Sequence, residues 1–282
     1  MPEPVARHLH WMAMKGRSVT TITARRLALE RLAKALPVPL LDALPEHLYD
    51  WRAELGLAER TVAQYCSHAR QFYAWAAEND LIAGNPAAAL PVPRPPRALP
   101  RPIAEEDLMA ALDAAPDRIR PWIVLAAWCG LRAKEIAYLR RDAILAGAQP
   151  PVLIVAADAT KGRRERIIPL SAFVLGELAA ARLPNSGWAF RRHDGARGPN
   201  APWIVSHLAS EFLHSCGIPA TLHQLRHRFG TQAYRARRDL LAVQYLMGHE
   251  DPVSTAGYAA FDQPEARAAV DAIPAPRRLR TA

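Results

Sequence analysis

Apolar side chains recur at helical intervals along most of this chain. Ser18, a residue type that caps helix N-termini, precedes a run with Ile22, Leu27, Leu29, Leu32 and Leu36, which predicts a helix to about Leu36. Residues 45–55 predict a short helix. Residues 58–80 predict a longer one, with Val62, Tyr65, Cys66, Ala69, Phe72 and Tyr73 at i, i+3, i+4 spacings. Gly84, Asn85 and Pro86 end this region with turn chemistry, and a four-helix module results. Beyond residue 102, helical patterns cover 105–114, 123–129 and 134–140. The period then changes. Residues 151–157 and 166–170 read as two strands joined by a turn over 160–164. Helical patterns return over 172–181, 203–216, 222–236 and 240–248.

The two parts are separated by residues 91–102, six of which are proline. Proline neither continues a helix nor donates to a sheet, so this segment is an extended, semi-rigid strap, made basic by Arg94, Arg97 and Arg101. The expected organisation is a helical domain over 1–90, a linker over 91–102 and a second domain over 103–282. No internal repeat is visible.

Composition narrows the class. A 282-residue chain with half its residues apolar can bury a sizeable core. The longest nearly apolar run, 121–131, is too short for a membrane span, and no apolar stretch suggests a signal peptide. Three widely spaced cysteines without a CxxC motif argue against a disulfide framework or a cysteine-based zinc site, so a cytoplasmic location is expected. The formal charge is +9, and the chain holds only four lysines against 32 arginines. Arginine is the better bidentate binder of phosphate, which tilts the reading toward a nucleic-acid partner. GC-rich coding would also favour arginine, alanine and proline.

Five signals lie in order in the second part. Arg132 opens a helix within Gly130–Ile136 (GLRAKEI). Lys161 sits at the turn between the two strands. His223 and Arg226, in LHQLRHRFGT, fall three apart on one helix face. His249 follows the next helix (LMGH), and Tyr258 follows nine residues later. Each alone has an ordinary structural reading: Arg132 paired with Glu135, Lys161 solvated, His249 at a helix C-terminus, Tyr258 a half-buried aromatic. His223 and His227, four apart, could suggest a zinc helix and a metal hydrolase. Position 224, however, is Gln, not the Glu that an HExxH protease uses as its base. Together, in register, these coincidences are improbable.

The set resembles the tyrosine recombinase, or phage integrase, family, in its compact two-domain form without an arm-binding domain. The resemblance extends into the first part, where 16–22 (GRSVTTI) is similar to the opening of the family's core-binding domain and 70–75 (RQFYAW) to its closing helix. It implies a mainly α fold: a helical, SAM-like core-binding domain plus an α+β catalytic domain with a small antiparallel sheet, the two clamping DNA. It implies a site-specific recombinase working through a 3′-phosphotyrosyl intermediate, with Tyr258 as nucleophile. Arg132 and Arg226 would clamp the phosphate, Lys161 would protonate the leaving 5′-oxygen, and His223 and His249 would supply proton transfer and hydrogen bonding. No metal, ATP or other cofactor is implied. The expected partners are double-stranded DNA with a specific core site and further copies of the chain in a synaptic tetramer, with room for an accessory or directionality factor and no membrane. The location would be the nucleoid, in the host cytoplasm if phage-encoded. Candidate DNA contacts are Arg25, Arg26, Arg60, Arg70, Arg94 and Arg97. Integration and excision of a mobile element is the leading role. The alternatives are dimer resolution of chromosomes or plasmids, and a catalytically silent DNA-binding regulator.

Overall fold

The computed structural model describes residues 1–94, 101–160, 165–192 and 194–248. The chain divides into two compact units, Met1–Arg97 and Ala98–Ala282.

The first unit holds four helices: α1 (Glu3–Met14), α2 (Val19–Ala35), α3 (Pro45–Ala53) and α4 (Glu59–Glu78). The Ser18 hydroxyl accepts the Thr21 N–H at 3.2 Å, which starts α2 and is worth about 1 kcal/mol. Val5, Leu9 and Met12 of α1 bury one stripe against Leu29 and Leu32 of α2 and Phe72, Tyr73 and Trp75 of α4. Helix α1 completes the expected four-helix module, although the sequence reading had not located it. Its i, i+4, i+7 stripe is present, but it starts behind Pro2 without a side-chain cap.

The second unit contains α5 (Glu105–Ala114), α6 (Arg120–Cys129), α7 (Ala133–Ala137), β1 (Ile144–Leu145), β2 (Val152–Val155), β3 (Arg166–Pro169), α8 (Ala172–Ala180), α9 (Pro202–Ser215), α10 (Leu222–Arg237) and α11 (Leu240–Met247). The sheet is antiparallel in the order β1-β2-β3, and the two-residue β1 was not expected. Helix α6 is buried nearly all round and forms the centre of the core, packed most extensively against α10. A helix with apolar residues on every side is stable only in that position. It begins three residues before the expected start, with Pro121 inside its first turn, where a missing N–H costs nothing. Helix α7 is shorter than expected. The chain leaves it at Tyr138 so that Arg140 can form an isolated bridge with Trp188. Among the described residues no helix is long and apolar enough to cross a membrane.

Candidate active site

The site is built where α6, α7, β3, α10 and α11 end or begin. Helix α6 stops at Gly130, in the left-handed region at φ 66°, and Arg132 then serves as the N-cap residue of α7. Glu135, one turn into α7, reaches back. Its Oε2 accepts the Arg132 N–H at 2.8 Å, and its Oε1 accepts from Arg132 Nη1 at 2.9 Å. Helix α10 starts with Gln224 Oε1 accepting the Thr221 N–H at 2.9 Å, so the residue that breaks the zinc-protease pattern has a capping task. This start places His223 outward and Arg226 inward.

Glu135 is the hub. It is 1% exposed and faces three arginines. Arg166, 4% exposed, donates from Nη1 and Nη2 to both its oxygens at 3.0 and 2.8 Å. Arg132 holds Oε1, and Arg226, 1% exposed, stands 3.8 Å from Oε2. Burial pushes the Glu135 carboxyl pKa up, but the Arg166 hydrogen bonds and the charges of Arg166, Arg226 and Arg132 outweigh it and hold it below the usual carboxylate value. Among the described residues the local charge is three guanidinium groups against one carboxylate, a net surplus suited to an anion.

The same three arginines terminate α11. The last carbonyls of a helix lack intrahelical partners. Here Leu246 O accepts from Arg166 Nε at 2.8 Å, Met247 O from Arg226 Nη2, and Gly248 O from Arg132 Nη2 at 3.1 Å. Arg226 Nη1 also donates to Gly130 O. Three consecutive carbonyls are therefore held by three arginines that share one carboxylate. His249 is the next residue in the chain.

His223 keeps solvent access. Partial desolvation of its ring, then the positive charges of Arg226 and Arg132, hold its pKa below the usual imidazole value. His227 packs edge-on against it with ring centroids 4.4 Å apart. Burial first, then His223 and Arg226, lower the His227 pKa to about 4. Among the described residues no group of three or more His, Cys, Asp or Glu could hold a metal ion.

Of the catalytic candidates, the structure brings Arg132, His223 and Arg226 together. Lys161, His249 and Tyr258 lie outside the described residues, as does Arg97. The candidate DNA contacts of the first unit separate. Arg25 is 3% exposed, and its guanidinium donates to His68 Nδ1 at 2.7 Å and Gln71 Oε1 at 2.6 Å, with His8 Nε2 at 3.0 Å. Its donors are spent inside the unit. Arg26 pairs with Glu30 at 3.0 Å, whereas Arg60, Arg70 and Arg94 are exposed.

Arg166 escaped the sequence reading of the site. The signal was an arginine on the same strand face as Ile168, opposite Val155 in the register. A charge at an inward strand position requires a buried partner. A cavity of about 400 Å³ opens at the other end of α6, lined by Arg118, Trp122, Arg182 and Arg191 among others; none of the described catalytic candidates lines it.

Known proteins resemble this chain in sequence and in fold. Residues 103–264 match the family model described as the phage integrase family. A tyrosine recombinase XerC of Chromobacterium violaceum is 30% identical, covering 93% of this chain and 91% of its own length. A tyrosine recombinase XerD of Pseudomonas aeruginosa is 28% identical, covering 77% and 76%. Among solved structures, the Tn1549 transposon integrase in complex with transposon right-end DNA superposes with a TM-score of 0.73 at 18% identity, covering 95% of this chain and 98% of that one. XerH recombinase bound to its difH substrate gives 0.71 at 20% identity, covering 92% and 81%.

Proposed function

The chain belongs to the phage integrase family of tyrosine recombinases, and on that premise we propose that it cuts and rejoins DNA at a specific core site through a covalent link to Tyr258. The observation that carries this reading is the arginine pair. Arg132 and Arg226 converge from separate helices on one buried carboxylate, with a surplus of positive charge and His223 alongside.

Each residue type answers a chemical need. The Tyr258 oxygen attacks the scissile phosphorus as its phenolic proton leaves, and the bond from phosphorus to the 5′-oxygen breaks. A free phenol has a pKa of about 10, so proton removal must accompany attack. The products are a 3′-phosphotyrosyl bond and a 5′-hydroxyl, whose proton we assign to Lys161. His223, held neutral near pH 7 by its surroundings, suits the role of base toward Tyr258, and His249 that of a hydrogen-bond donor to the phosphate. The five-coordinate phosphorane gathers negative charge on its non-bridging oxygens, which forked, permanently charged arginines stabilise. The phosphotyrosine keeps the energy of the phosphodiester, so rejoining by a 5′-hydroxyl needs no ATP.

The first unit would grip the duplex through exposed arginines such as Arg60, Arg70 and Arg94. Phosphate contacts of this kind give affinity with a steep salt dependence. The assembly we propose is a tetramer on two sites, in which residues 263–282 of one copy engage the next. Integration and excision of a mobile element is the leading role. Dimer resolution of chromosomes or plasmids is the second, and the division into two compact units fits it too.

The deciding experiment is covalent trapping on nicked suicide substrates with randomised core sequence, resolved under denaturing conditions. Adducts from the wild type and none from Tyr258→Phe are expected, and the attached DNA reveals the site. DNA binding without an adduct from either protein would overturn the catalytic reading in favour of a silent DNA-binding regulator.

A further inference from the structure

Arg166 has no part in the chemistry just described, yet all three of its guanidinium nitrogens are engaged. Both terminal nitrogens lie on the two oxygens of Glu135, and its Nε lies on the Leu246 carbonyl. The adjoining backbone leaves it little room. A Cβ built on Gly248 would stand 3.0 Å from Arg166 Nη1 and 3.3 Å from its central carbon.

A buried carboxylate beside three guanidinium groups attracts all of them. Desolvation makes that attraction strong, and the carboxylate will neutralise whichever arginine reaches it. Arg226 meets it only as a long ion pair, 3.8 Å from Oε2, and donates to Gly130 O and Met247 O. The positions on Glu135 that Arg226 would take are occupied from the β3 side.

We propose that Arg166 is a positioning residue that occupies both oxygens of Glu135 and so holds Arg226 at the longer ion-pair distance, directed by the Gly130 and Met247 carbonyls toward a phosphate. The value of this arrangement for catalysis rests on the recombinase reading above; the arrangement itself does not. Without Arg166 the carboxylate draws Arg226 inward, off the carbonyls that set its direction, and the charge surplus falls from two to one. Removing the Glu135 charge as well restores a surplus of two.

The test is a cycle of Arg166→Met, Glu135→Gln and the double variant in the full-length chain, with Arg166→Lys beside them. Methionine keeps an apolar stem of similar reach. Two readouts are taken. The first is the rate of covalent adduct formation on suicide DNA. The second is the pKa of His223 by NMR titration without DNA. Burial lowers the His223 pKa most, and the charges of Arg226 and Arg132 lower it further, so it responds to both arginines.

Arg166→Met is expected to slow adduct formation about 100-fold, the scale of losing one charge-stabilising donor. It is also expected to raise the His223 pKa as Arg226 pairs more closely with Glu135. The double variant is expected to regain about tenfold in rate and to return the His223 pKa toward its wild-type value. Arg166→Lys, which keeps the charge but cannot bridge both oxygens, should fall between. It carries the same readouts if Arg166→Met does not fold.

A double variant no faster than Arg166→Met, with an unmoved His223 pKa in both, would overturn the proposal and leave Arg166 a merely structural residue. A wild type that forms no adduct would instead overturn the recombinase reading, and the His223 titration would still decide the role of Arg166.

Discussion

The guanidinium of Arg226 stops 3.8 Å short of the Glu135 carboxylate, while Arg132 makes contact with it at 2.9 Å. The two members of the proposed phosphate clamp are therefore held by different means. Arg132 hangs on a carboxylate, with 29% of its side chain exposed. Arg226 is buried and hangs on the carbonyls of Gly130 and Met247. Their replacements should differ accordingly. Arg132→Ala should lower the cleavage rate by about 10²–10³ with little change in melting temperature. Arg226→Ala should show the same loss of rate and also destabilise the second unit by about 1–3 kcal/mol, because two buried carbonyls lose their donors. Paired measurements of adduct formation and denaturant unfolding separate the two.

Glu135 is expected to matter more for folding than any other carboxylate of the second unit. Glu135→Gln leaves buried guanidinium groups without a counter-charge and should cost about 3–5 kcal/mol in urea unfolding. Its pKa is depressed in the folded chain, so its stabilisation is present above the ordinary carboxylate pKa and is lost as pH falls through the folded value. The acid limb of the wild-type stability curve should therefore flatten in Glu135→Gln, apart from the contribution of the first unit.

That first-unit contribution has its own origin and a higher pH range. Burial, and then the charge of Arg25, lower the pKa of both His8 and His68 to about 4. Both rings accept from Arg25 and so must stay neutral. An unfolded histidine titrates near 6.5, so the folded unit binds fewer protons between the two values. Stability is fully present above about pH 6.5 and is lost as pH falls toward 4. For buried His8 the loss is roughly 3 kcal/mol at most. Hydrogen exchange resolved by segment, at pH 7 and pH 5, should show faster opening of α1, α2 and α4 at the lower pH. Equal protection at both would show that these rings titrate normally.

The pattern of the chain made most of this visible, because helix spacing and short polar motifs are local properties. The boundaries of α9, α10 and α11 fall within a residue of expectation, and His223 and Arg226 lie three apart on α10, although not on one face: the first points outward and the second inward. What escaped depends on distant partners. Arg166 reads as an ordinary strand-edge charge until Glu135, 31 residues earlier, is known to lie beneath it. Arg25 reads as a phosphate ligand until His8 and His68 are seen to enclose it. Gln224, read as a departure from a zinc motif, proves to be a helix cap.

Chelation offers a direct contrast with metal-dependent nucleases. In the proposed mechanism, guanidinium groups would supply the charge that a divalent ion supplies elsewhere. Adduct formation should proceed at an unchanged rate in excess EDTA. Loss of activity restored by a divalent cation would implicate His223 and His227 as ligands instead.

Gly130 joins the core to the site, and its replacement should disrupt both. It sits at φ 66°, where a side chain costs about 1 kcal/mol. Space is the larger problem. A Cβ on Gly130 would lie 2.4 Å from Phe229 Cδ1 and 2.8 Å from Cε1, closer than atoms can approach. Phe229 is a ring on α10, and α10 packs along the fully buried α6, so neither element yields easily. Overpacking of this kind costs about 1–3 kcal/mol more. The strain falls where function is most exposed to it, since the Gly130 carbonyl holds Arg226, three residues before Phe229 on the same helix. Gly130→Ala should therefore destabilise the second unit by about 2–4 kcal/mol and slow adduct formation even at temperatures where the chain remains folded. The double variant Gly130→Ala with Phe229→Ala removes the clash but keeps the strained backbone. It should recover part of the cleavage rate. If it recovers none, the loss belongs to the backbone turn at Gly130 and not to displacement of α10.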